Sequence, residues 1–60
     1  MKTTITFISG RVEEYFDTAP TFDRESKLIG LIGPDMDVLE FDEGMVDVRF
    51  DDILKVEVEV

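Results

Sequence analysis

The chain has no cysteine, no histidine and no tryptophan, and only six cationic side chains stand against fifteen carboxylates in 60 residues. Each absence removes a class of chemistry. Without cysteine there is no thiolate nucleophile and no disulfide, and without histidine there is no imidazole base. Zinc sites built from imidazole and thiolate are excluded with them. The only serines are Ser9 and Ser26, one in an expected turn and one in an expected loop. The expectation is a protein that is not an enzyme and carries no metal and no cofactor.

The shortage of cations excludes a second class. Phosphate contacts dominate affinity for nucleic acid, and six scattered cations in an acidic field offer few of them. Direct binding to nucleic acid or to an anionic membrane is therefore not expected. Gly30-x-x-Gly33 lacks the further glycine and the Lys-Ser/Thr pair of a phosphate-binding loop. Asp35-x-Asp37 opens like a calcium loop, but Leu39 and Glu40 stand where that loop needs an oxygen ligand and a glycine. Long hydrophobic runs are missing too. In Met1–Ser9 the apolar positions alternate with threonine, unlike a signal-peptide core or a membrane span, so a cytoplasmic protein is expected.

What is present points to a folded β-domain. An acidic chain that stayed disordered would be poor in aromatic and β-branched residues, whereas this one has five Phe and is 43% apolar. A single domain, residues 1–60, is the economical count, since no repeat, linker or low-complexity tract divides the chain. So short a domain buries only about 60% of the surface its unfolded chain exposes. With disulfides and metal unavailable, oligomerisation is the remaining common source of stability, and a homo-oligomer, simplest as a homodimer, is expected.

Strand signals dominate. Thr3–Ile8 alternates, Ser9-Gly10 offers a two-residue turn, and Arg11–Phe16 follows, which pairs Phe7 with Val12 and Thr3 with Phe16. A short helix near 11–19 competes, because Val12, Tyr15, Phe16 and Ala19 have helical spacing. Asp17–Ser26 reads as a loop. Leu28, Ile29, Leu31 and Ile32 are apolar on both faces of a strand, which implies the centre of a closed sheet or a subunit contact, and these four form the expected oligomer interface. Leu39 and Phe41, a three-residue connection Asp42-Glu43-Gly44, and Val46, Val48 and Phe50 read as a second hairpin. A break at Asp51-Asp52 leads into Lys55–Val60, with its valines inward and Lys55, Glu57 and Glu59 outward.

The strand, the one-turn break Phe50-Asp51-Asp52-Ile53-Leu54 and the short last strand resemble the end of an SH3-like small barrel. The resemblance covers about the last third of the chain and is one of element order. It implies an all-β fold, a five- to six-stranded partly open barrel or twisted antiparallel sheet, and it transfers no functional residue.

The charge is lopsided. Residues 35–60 hold ten carboxylates against Arg49 and Lys55, while residues 1–34 are nearly balanced. Outward residues two apart on a strand lie about 6.6 Å apart, roughly two phosphate steps along a DNA strand. Glu40, Asp42, Glu43, Asp47, Asp51, Asp52, Glu57 and Glu59 are thus the candidate partner-binding residues. The function they suggest is a non-catalytic protein-binding module, in its most specific form a phage- or mobile-element-type inhibitor. Acting as a DNA mimic, it would block the basic nucleic-acid-binding surface of a partner such as a defence protein. Two alternatives stand beside it: a merely solvated face, and a homo-oligomeric assembly or accessory subunit that binds through apolar and strand-edge contacts.

Overall fold

The computed structural model describes residues 1–60, leaving out the side chain of Glu43. It is all-β, with two antiparallel sheets. The first, in the order β2-β1-β7, contains β1 (Lys2–Phe7), β2 (Val12–Phe16) and β7 (Ile53–Glu59). The second is centred on β4 (Leu28–Ile32), with β3 (Ala19–Asp23) along one side. β5 (Val38–Leu39) and β6 (Asp47–Arg49) share the other side of β4. One-turn 3-10 helices at Asp42–Gly44 and Phe50–Asp52 complete the chain.

The sheets face each other across one core. Ile5 and Phe7 from the first sheet meet Ile29, Leu31 and Val48 from the second, with Phe41 closing one side and all six nearly fully buried. Strand alternation then sends the other row of each strand to opposite outer faces. Thr3 is also buried, and its hydroxyl donates to the Thr18 carbonyl (3.1 Å), tying β1 to the turn that leads into β3.

The first hairpin forms as expected, in place of the competing helix near 11–19, but its register is different. Its loop holds three residues, Ile8, Ser9 and Gly10: Phe7 N–H donates to the Arg11 carbonyl (2.8 Å) and Gly10 N–H to the Phe7 carbonyl (2.9 Å). Gly10, at φ +94°, takes the left-handed position such loops require. Val12 therefore pairs with Thr6 and Phe16 with Lys2, one residue away from the pairing a two-residue turn would set. A one-residue slip exchanges the faces of a strand. Val12, Glu14 and Phe16 point out, and Glu13 and Tyr15 point in.

Two further expectations are corrected. Residues 19–23 form β3 where a loop was expected, and Pro20, which has no N–H to give, is accommodated because β3 is an edge strand. Of the second hairpin expected over residues 39–50, the three-residue connection Asp42-Glu43-Gly44 is present, with Phe41 N–H donating to the Met45 carbonyl (2.7 Å) and Gly44 N–H to the Phe41 carbonyl (3.1 Å), but the strands on either side of it do not pair with each other. Leu39 pairs with Leu31 and Asp47 with Gly30, so β5 and β6 are two parts of one strand position along β4, interrupted between Leu39 and Asp47. The interrupting segment, residues 40–46, leaves the sheet, buries Phe41 and returns through Gly44 at φ +78°. Counted this way the fold has six strand positions, in keeping with a small partly open barrel. The break before the last strand is present as the 3-10 turn Phe50–Asp52, held by Phe50 N–H to the Lys27 carbonyl (2.9 Å) and Ile8 N–H to the Asp52 carbonyl (3.0 Å).

Candidate functional site

The inward turn of Glu13 builds a polar cluster that composition and periodicity do not reveal. Glu13 is buried (7% exposed) opposite Ile5. Its Oε1 accepts a hydrogen bond from the Tyr15 hydroxyl, and Arg11 Nε lies 3.0 Å from its Oε2. That second contact is an ion pair without hydrogen-bond alignment, so Oε2 accepts no hydrogen bond among the described residues. The Arg11 guanidinium lies over the Phe7 ring, 4.4 Å from its centroid. The Tyr15 ring packs edge-on against Phe41 (5.7 Å), and its hydroxyl accepts from Asp42 N–H (3.2 Å). Burial, and next the hydrogen bond to Glu13, push the Tyr15 hydroxyl up to about 12. Of the described clefts, about 210 and 260 Å³, neither is lined by Glu13 or Tyr15, and the larger touches the cluster at Phe7 and Arg11. Through Tyr15 the cluster ties the 40–46 segment to β2.

The carboxylates expected to form one surface are divided. Glu57 and Glu59 are exposed on the outer face of the three-stranded sheet, where they pair with Thr4 and Lys2. Cations share that face: Lys2 Nζ is 2.8 Å from Glu14 and 3.8 Å from Glu59, and Lys55 is 3.4 Å from Glu57. The hydrogen bond to Glu14 raises the pKa of the Lys2 ammonium. Asp47 lies on the opposite outer face, beside Gly30 and one residue from inward Val48. Glu40 and Asp42 are exposed on the 40–46 segment, and Asp51 and Asp52 in the second 3-10 turn, where Asp51 is 3.6 Å from Arg49. The Glu43 side chain lies outside the described residues. These positions do not line up as one ladder of charge, and no described group of three or more acidic side chains is arranged to hold a metal ion.

Of the four residues expected at a subunit contact, Ile29 (3% exposed) and Leu31 (1%) belong to the protein's own core. Leu28 and Ile32 are half-buried on the outer face. Ile32 lies between Ala19 and Val38, and Leu28 between Asp23 and Arg49. The aspartate of that last row is held below the usual carboxylate range by hydrogen bonds from Ser26, and it also accepts from Glu25 N–H.

The largest unfilled bonding capacity lies along β7. At seven residues it is the longest strand, and among the described residues it pairs with β1 alone. Leu54 (67% exposed) and Val58 (44%) leave apolar surface along it. Leu54 is the extra residue of a bulge, since Phe7 pairs with Ile53 while Thr6 pairs with Lys55. No protein-family model, curated protein or solved structure matches the chain. No helix is long and apolar enough to cross a membrane among the described residues.

Proposed function

We propose that this chain is a non-catalytic protein-binding module that recognises its partner through the open edge of β7 and the apolar side chains beside it. The observation that carries the reading is that edge: a continuous seven-residue strand, unpaired on one side, next to exposed Leu54 and Val58. Edge strands bind partners by adding a strand, with main-chain hydrogen bonds supplying affinity and alternate side chains supplying specificity. On this reading the carboxylates contribute solubility and exclude wrong partners.

The inhibitor form, in which acidic side chains fill the basic groove of a nucleic-acid-handling protein, is the second reading. It is supported by the exposure of Glu40, Asp42, Asp51 and Asp52 on the chain's most acidic stretch. A comparison of three immobilised proteins separates the two. Val58→Lys places a charge on the apolar side of the edge, and Glu40→Lys with Asp42→Lys reverses charge on the 40–46 segment, away from it. Under the strand-edge reading, partner capture is lost in Val58→Lys, and it persists at high salt in the charge-reversed protein. Capture that survives Val58→Lys but disappears on charge reversal, with steep salt dependence, overturns it in favour of the inhibitor.

A further inference from the structure

We infer that the occupant of the β7 edge is the β7 of a second copy, antiparallel and in a register centred on Val56. The two three-stranded sheets then form one continuous sheet across a two-fold axis. This rests on the strand-edge reading and names its partner.

The backbone determines which residues face the edge. Phe7 exchanges hydrogen bonds with the loop on its β2 side, whereas the next residue, Ile8, donates to Asp52 on the β7 side. In an antiparallel strand, N–H and C=O of one residue point the same way and alternate residues point oppositely. The even residues of β1 therefore bond to β7, and their partners are Lys55, Glu57 and Glu59. Val56 and Val58 aim their main-chain groups away from β1, at the open edge.

The charges then select the register. Two copies related by a two-fold axis, with outward residues pairing outward ones so that each face continues, pair one residue with itself. Centring on Glu57 sets that carboxylate against its own copy, and centring on Val58 sets Glu57 against the partner's Glu59, twice. Centring on Lys55 opposes two ammonium groups. Like charges directly opposite are destabilising. Centring on Val56 pairs Lys55 with the partner's Glu57 at two equivalent places, joins the two Val56 residues through both their hydrogen bonds, and brings Leu54 against the partner's Val58. The exposed apolar side chains of this strand are thus covered by one another. Registers offset by half a step pair outward with inward residues and break the continuity of the faces.

The other edges are less suited. β3 lacks a donor at Pro20, the β5–β6 position is interrupted, and β2 centres its outward row on Glu14, which would meet itself.

Because the chain has no cysteine, single-cysteine variants at positions 54 to 58 act as a ruler. Only the self-paired position brings two identical residues within disulfide reach. Sedimentation equilibrium of the wild-type protein at micromolar concentration is expected to show a dimer, and mild oxidation to yield a covalent dimer for Val56→Cys alone. Lys55→Glu or Glu57→Lys singly should weaken the dimer roughly tenfold or more, and the two together should restore it. A monomeric wild-type protein, cross-linking centred on another position, or a double variant as weak as the singles overturns the proposal. If the wild-type protein is monomeric while Val58→Lys still loses a captured partner, the two-fold assembly is wrong and the binding-module reading stands.

Discussion

A carboxylate taken out of water needs partners, and Glu13 receives its hydrogen bond from one side chain, Tyr15. Removing that hydroxyl leaves a buried acceptor unsatisfied and releases Asp42 N–H as well. Tyr15→Phe is therefore expected to destabilise the fold by about 1–3 kcal/mol in denaturant melts, far more than loss of a surface hydroxyl would. Replacing both partners, Glu13→Met with Tyr15→Phe, should recover part of the loss, since no buried charge then remains. The same contact makes the tyrosine a reporter. It is the only tyrosine in a chain without tryptophan, so its ultraviolet titration is unobscured. The folded hydroxyl keeps its proton to about 12, against 10.0 for an unperturbed tyrosine. Between those values the folded state binds the proton more tightly than the unfolded chain, so stability is intact below the lower value and is lost as pH rises toward the upper one. Melts across that alkaline interval should show the decline, and Tyr15→Phe should abolish this contribution to it.

Among the elements, β4 shows how closely the second sheet is packed. A Cβ built on Gly30 would lie 2.8 Å from Thr21 Oγ1 on β3 and 3.4 Å from Asp47 on β6. Gly30→Ala is expected to cost about 1–3 kcal/mol through overpacking, and Thr21→Ala in the same chain to restore most of it, a coupling measurable by a double-mutant cycle. The strands were legible where the pattern is local. The alternation of Thr3–Phe7 and of Lys55–Glu59, the apolar run of β4 and the break at Asp51-Asp52 appear where sequence places them, while Ile8 and Val60, expected to continue the two outer runs, lie beyond the strands and are exposed. β3 was hidden because Pro20 and a row of exposed side chains give an edge strand no period. The β5–β6 position was hidden because both parts pair with β4, a contact that neither part announces. The first hairpin missed its register because Ser9-Gly10 suits a two-residue turn as well as the last two positions of a three-residue loop. That single slip concealed Glu13 and Tyr15, and with them the polar cluster. The open edge of β7 was readable as a strand, but which of its main-chain groups are free required the pairing of β1.

For the molecule as a whole, a formal charge of −9 on 60 residues means that self-repulsion opposes compaction. The ion pairs of Lys2, Lys55 and Arg49 lie at the surface, where such pairs contribute little. Added salt screens both effects, and repulsion among fifteen carboxylates is the larger. The melting temperature at fixed, low protein concentration is therefore expected to rise as ionic strength goes from about 0.01 to about 0.15 M, where the screening length falls from roughly 30 to 8 Å. A fall over that range would show that the ion pairs outweigh the repulsion.

The interruption between Leu39 and Asp47 bears on how such a chain can vary. Leu39 and Asp47 face Leu31 and Gly30, neighbours on β4, so the two ends of the excursion meet where a single peptide bond would span them. Val38, Leu39, Asp47, Val48 and Arg49, read without the intervening segment, alternate outward and inward as one unbroken strand. The excursion is in effect a cassette inserted at a seam that heals without it. What it gives the fold is mainly Phe41, seated on Tyr15, so a graft of different length or composition could be carried here if it kept an aromatic residue at that place. Natural diversity in relatives of this protein, and engineered epitopes or binding loops, would then be expected to concentrate at this splice point while the six strand positions around it stay constant.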